Sequence, residues 1–196
     1  MSAQAKDNVF FFDVLPFAAS LALLGASALA LDAALHFGNL VWIGKLLGIP
    51  GVLLIIFSFG YSLRKRKLIS VGQPVELLHV HEIMAWAGSL FILVHAGIHF
   101  NAWLAWLAVW AMLINVCSGL TGKYLLQRVR KRFSATQARL REELVPEASI
   151  ETQTHAASLA LNVIRKWHQV HIPIASAFAL LALTHIAVEA WYWGFQ

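Results

Sequence analysis

Five blocks of apolar residues punctuate the chain, at about 14–37, 40–63, 77–100, 102–122 and 170–193. Each is long enough for an α-helix to cross the hydrocarbon core of a bilayer, which takes about 20 residues. The connections alternate in character. Gly38 and Asn39 make a short turn, and Arg64 to Glu76 is basic and holds Gly72 and Pro74. Asn101 sits in a second tight turn, and Lys123 to Gln169 is long and charged. The pattern predicts an all-α membrane protein, one membrane domain over residues 1–196, with five transmembrane helices and loops at 64–76 and 123–169.

Two segments carry alternatives. Residues 14–30 resemble a signal-peptide core, with Ala26-Ser27-Ala28 as a cleavage-like run. Against that, Lys6 in the flank is offset by Asp7, and Asp13 lies at the edge of the core, so a retained span is expected. From Lys123 to Arg141, Tyr124, Leu125, Val129, Phe133 and Leu140 recur at near-helical spacing among basic residues. That fits an amphipathic helix on anionic lipid or against a partner. The favoured reading is an extension of the fourth span into water with ordinary topology charges.

Charge settles the direction. All 15 Lys and Arg except Lys6 and Lys45 lie in the two long connections, which five spans place on one side. Positive-inside bias then puts the N-terminus in the cytoplasm and the C-terminus outside, in a cytoplasmic (inner) membrane. A four-span arrangement would separate the two loops and lose the bias. The formal charge of +5 is therefore a topology signal and not a nucleic-acid footprint. Only 13% of residues are charged, about half the share of a soluble domain.

Composition also limits the chemistry. The single cysteine, Cys117, excludes an intramolecular disulfide, a CxxCH haem-attachment site and a cysteine-ligated iron–sulfur cluster. The nine histidines remain as ligands. Four of them form two matched pairs: His81 and His95 in the third span, His171 and His185 in the fifth, each pair 14 residues apart. On an α-helix that spacing rises about 21 Å and returns to within about 40° of the starting direction. With five spans, the third and fifth run parallel. His81 and His171 then share the cytoplasmic edge, and His95 and His185 the outer edge. Haem iron accepts neutral imidazole nitrogens, so the frame suits two bis-histidine haems b.

Gly88 lies seven residues from both His81 and His95. It admits either a haem edge or a neighbouring helix close to the backbone. His99 and His168 are alternate ligands one turn from His95 and His171, and His36 with His99 would be a third haem pair. Four intramembrane histidines are costly without a function. A haem-free metal transporter is the rival reading, but its mid-membrane carboxylates are lacking, since Asp32, Glu82 and Glu189 all fall near span ends.

Two segments carry a family resemblance. One runs from His79-Val80-His81-Glu82 through His95-Ala96-Gly97-Ile98-His99. The other runs from Trp167-His168-Gln169-Val170-His171-Ile172-Pro173 through Thr184-His185. They resemble the haem-bearing core of the cytochrome b superfamily, which includes the cytochrome b of quinol:cytochrome c oxidoreductases and the transmembrane domain of ferric reductases. The resemblance covers about half the chain and implies haem more specifically than it implies a reaction. These 196 residues hold no stretch for a flavin or nicotinamide domain, and the first two spans have no counterpart in the resemblance.

Around the haems, Arg165 and Lys166 are placed to hold propionates near the inner pair. His79, Glu82 and His168 could serve a quinone near the inner haem, and Asp32, His36, His99 and Glu189 near the outer one. Trp103, Trp106, Trp191, Tyr192 and Trp193 read as an interfacial aromatic belt. The expectation is an electron-transfer subunit linking the quinone pool to a partner redox protein that carries cytochrome, iron–sulfur or molybdenum centres. Alternatives are a self-contained membrane oxidoreductase acting on ferric iron, quinone or an oxygen species, and the haem-free metal transporter.

Overall fold

The computed structural model describes residues 14–98, 103–143 and 147–194, with side chains at all of these except 98, 125–132, 147–161, 163–165, 168, 193 and 194. The structure is all-helical over these residues. Among them, five helices are long and apolar enough to cross a membrane: Leu15–Phe37, Val41–Lys65, Pro74–Gly97, Trp103–Tyr124 and Gln169–Tyr192. These match the five apolar blocks to within three residues at every end. The turn expected at Asn101 lies outside the described residues.

Helix α1 (Leu15–Phe37) ends at the anticipated Gly38-Asn39 turn. Asn39 adopts a left-handed backbone conformation with φ 54°. Leu40 N–H bonds Leu35 O at 2.8 Å and Asn39 N–H bonds His36 O at 3.2 Å. This pair of bonds closes the helix in a Schellman motif, and asparagine is among the few residues that tolerate the left-handed position. The cleavage-like run Ala26-Ser27-Ala28 is interior to α1, and Ala28 is buried with Leu35 and Val94 in one apolar cluster.

The second span, Val41–Lys65, comprises α2 (Val41–Leu46), α3 (Gly48–Ser58) and α4 (Gly60–Lys65), joined by one-residue turns at Leu47 and Phe59 whose backbones stay in the right-handed helical region. Pro50 is the third residue of α3, where a missing N–H belongs to the first turn and costs little. A second Schellman motif ends the span at Lys67, with φ 59° and a 3.0 Å bond from Leu68 N–H to Leu63 O. Helix α5 (Pro74–Ile98) then starts with proline at its first position, where its fixed φ favours the helix.

Helix α6 (Trp103–Thr121) passes through a π-helical turn (Gly122–Leu126) into α7 (Gln127–Glu142). Helix α8 (Glu147–Gly194) runs for 48 residues and contains the fifth span. The long charged connection is therefore mostly helix, not loop. Its composition explains this: α7 contains no glycine or proline, and ten of its sixteen residues are Arg, Ala, Gln or Leu, which favour helices. Arg139 Nε donates to Glu143 Oε1 at 2.9 Å, one turn on. Pro173 lies within α8 and leaves the Gln169 carbonyl without its usual partner in the helix, yet the helix continues.

The chain divides into two compact units: Leu21–Val116 with Ala175–Gln196, and Met1–Ser20 with Cys117–Ile174. In the first unit, Ala28, Leu35 and Val94 form a core with Leu31, Ile43, Leu47, Leu90 and Leu93 around it. Here the second span lies antiparallel along α5, with Gly48 beside His95 and Ser58 beside His81. In the second unit, Ser20 and Tyr124 hydroxyls share a hydrogen bond of 2.8 Å.

Candidate functional site

The face of α5 that carries His81, Gly88 and His95 is turned toward the second span. His81 Nδ1 lies 2.9 Å from the carbonyl oxygen of Ser58, the last residue of α3 before the turn at Phe59. A carbonyl can only accept, so Nδ1 holds the ring proton and donates it. In the neutral imidazole, Nε2 then presents a lone pair. Ser58 is buried, and its hydroxyl donates to Ile55 O at 2.7 Å. Tyr61 packs near the same imidazole, with ring centroids 6.0 Å apart.

Gly88 meets Gly51. A Cβ on Gly88 would lie 2.9 Å from Gly51 O and from Ile55 Cγ1. Of the two roles expected for this glycine, close helix packing is the one the geometry displays. The space over its α-carbon is filled by α3, leaving no room there for a haem edge.

At the other end of this face, the His95 ring lies against Gly48. A Cβ at Gly48 would sit 3.0–3.1 Å from His95 Cγ, Cδ2 and Cε1. Near-equal distances to three ring carbons mean that the imidazole presents its face to Gly48, with its nitrogens edge-on. His95 Nδ1 is shielded from solvent.

In the other unit, His171 Nδ1 lies 2.8 Å from the hydroxyl oxygen of Ser118 on α6. Trp167, one turn earlier on α8, donates Nε1–H to the Ser118 carbonyl at 3.3 Å. His185 is half-buried and lies on the part of α8 that belongs to the first unit.

The remaining expected residues are placed as follows. His79 is exposed and Glu82 half-buried, both on α5. Lys166 is exposed. Arg165 and His168 lie in α8, their side chains outside the described set, and His99 lies outside the described residues. His36 donates Nδ1–H to Asp32 O at 2.9 Å, and its Nδ1 is 3.6 Å from Asp32 Oδ1. That carboxylate rests on Gly97, whose Cβ would be 3.8 Å from Oδ1, so α1 meets α5 just beyond His95. Glu189 is exposed, as are Trp103, Trp191 and Tyr192. Among the described residues, no three His, Cys, Asp or Glu side chains gather as a metal-ion site. That donor set concerns a bare ion; a bis-histidine haem takes two protein ligands.

Ser58, Ser118, Gly48 and Gly51 were not singled out from sequence. Their signal was weak but present: two glycines three apart in the second span, and a serine within the mainly apolar run of α6. No family model, curated protein or solved structure matches the chain.

Proposed function

We propose that the chain is a di-haem b-type cytochrome. On this reading it carries electrons across the cytoplasmic membrane, between the quinone pool and a partner redox protein, as the membrane subunit of a respiratory electron-transfer complex. One observation supports it above the others. The two histidines expected at the inner edge, His81 and His171, both direct Nδ1 to an oxygen of a neighbouring helix, at 2.9 and 2.8 Å. Metal-ligating histidines are held in this way, because the bond at one nitrogen orients the ring and strengthens the other as a ligand.

His81 and His171 would hold one haem and His95 and His185 the other, through Nε2 in each case. Haem bound there supplies a one-electron couple. Along α5 the two ligands are separated by a rise of about 21 Å, most of a hydrocarbon core of about 30 Å. The chain's part is to fix the imidazoles: Ser58 and Ser118 hold the inner rings, and Gly48 seats the face of His95. Lys166, with Arg165, is available to propionates on the cytoplasmic side, where the basic connections place it. His79, Glu82 and His168 are the candidates for hydrogen bonds to a quinone there.

The deciding experiment is a dithionite-reduced minus oxidised spectrum of the purified chain, with a pyridine haemochrome assay. About two b-type haems per chain are expected. A folded chain made with haem supplied and carrying none would overturn the proposal and return the transporter reading.

A further inference from the structure

Ser118 is almost fully buried, 3% exposed, and both of its oxygens face α8. Three other hydroxyls in these helices turn back to their own backbone. Ser58 Oγ donates to Ile55 O at 2.7 Å, Thr121 Oγ1 to Cys117 O at 2.8 Å, and Thr184 Oγ1 to Leu180 O at 2.8 Å. Ser118 instead meets an imidazole on a different helix, 2.8 Å from His171 Nδ1. Its carbonyl is gripped separately by Trp167 Nε1 at 3.3 Å. Trp167 and His171 are one helical turn apart, so α8 holds this one residue of α6 at two points.

The two inner histidines are held by chemically different oxygens. The acceptor for His81 is a backbone carbonyl, which no side-chain substitution removes. For His171 the partner is a side-chain hydroxyl, which can accept from Nδ1–H or donate to Nδ1; ligation of iron through Nε2 would put the ring proton on Nδ1 and make the hydroxyl the acceptor. A hydrogen bond from Nδ1–H moves electron density toward Nε2 and strengthens it as a ligand. A stronger ligand stabilises the more highly charged, oxidised metal.

We infer that Ser118 is a positioning residue for His171: its hydroxyl orients the ring, holds the proton on Nδ1 and sets the donor strength of Nε2. The inference rests on the haem ligation proposed above. It makes the hydroxyl at position 118 a determinant of one reduction potential and not the other.

The test is an optical redox titration of the full-length, haem-loaded chain in detergent, comparing wild type, Ser118→Ala, Ser118→Thr and Trp167→Phe. Ser118→Ala should raise one midpoint potential by a several-fold change in the reduction equilibrium, tenfold being about 59 mV for one electron. The other potential should stay in place. Ser118→Thr keeps the hydroxyl and should restore the wild-type value. Trp167→Phe removes the second bond to the same residue and should move neither potential. If Ser118→Ala instead lowers haem occupancy at one site, restoration by Ser118→Thr supports the inference equally. Haem-replete Ser118→Ala with unchanged potentials would overturn this inference alone. So would equal shifts in Ser118→Ala and Trp167→Phe, or no restoration by threonine. A wild-type chain without haem would overturn the ligation proposal and this inference together.

Discussion

Gly51 and Gly88 pack backbone to backbone. A Cβ on Gly51 would lie 3.1 Å from Gly88 O, and one on Gly88 would lie 2.9 Å from Gly51 O. The contact is reciprocal, and neither carbonyl can swing away as a side chain would. It sets how closely the second span backs the histidine-bearing face of α5. Small residues are the usual means of such approach between membrane helices.

Gly88→Ala should therefore push α3 from α5 and lower stability by about 1–3 kcal/mol, the usual cost of overpacking a close contact. Gly25→Ala is the control, because nothing lies within 4 Å of a Cβ there. Removing a mid-helix glycine should leave stability unchanged or raise it by roughly 0.5–1 kcal/mol. Thermal unfolding in detergent, followed by circular dichroism, reads both. Equal stability of Gly88→Ala and wild type would contradict the contact.

Gly48→Ala should act on His95 rather than on the fold at large. The new methyl would meet three carbons of the imidazole at 3.0–3.1 Å and displace the ring. The expected result is a chain that folds but loses the spectral component assigned to His95 and His185, with the His81 and His171 component retained. Loss of both components together would argue that Gly48 serves the bundle and not the ligand.

Substitution of the histidines themselves should divide into two classes. His95→Ala and His185→Ala should remove one haem component, and His81→Ala and His171→Ala the other. Each variant should hold about half the wild-type haem in a pyridine haemochrome assay. Variants with the full wild-type content at all four positions would show that the axial set is wrong and bring His99 and His168 forward.

Orientation can be read with a single reactive thiol. In a Cys117→Ala background, Ser70→Cys lies at an exposed position in the basic connection, and Phe37→Cys lies at a position 90% exposed at the end of α1. An impermeant maleimide added to right-side-out vesicles should label Phe37→Cys and spare Ser70→Cys. Inverted vesicles should give the reverse. The opposite pattern would mean that the basic connections face outward and the N-terminus with them.

The surface pair Arg139 and Glu143 should matter little. Its partners are half or more exposed, and an ion pair between neighbouring turns of a solvated helix is worth about 0.3–0.5 kcal/mol. Arg139→Ala should leave the unfolding midpoint within about 0.5 kcal/mol of wild type. A larger loss would place Arg139 in an interface.

The sequence by itself determined the five apolar helices and the turn at Gly38 and Asn39. These are local properties: a run of apolar residues long enough for a bilayer, then a short polar stretch that cannot continue it. The 14-residue spacing of His81 and His95 was legible for the same reason, because helical periodicity alone puts both on one face. In the charged stretch after Tyr124, the near-helical spacing up to Arg141 was legible, whereas the helix over Glu147–Gly194 was not marked by any apolar periodicity singled out in the sequence. What each ring touches was decided by tertiary structure alone. Ser58 is 23 residues from His81, and Ser118 is 53 residues from His171. Hydropathy gives the depth of a residue in the membrane but not its rotation against a neighbouring helix. That rotation depends on interlocking contacts such as Gly51 with Gly88, formed only when the helices pack side by side.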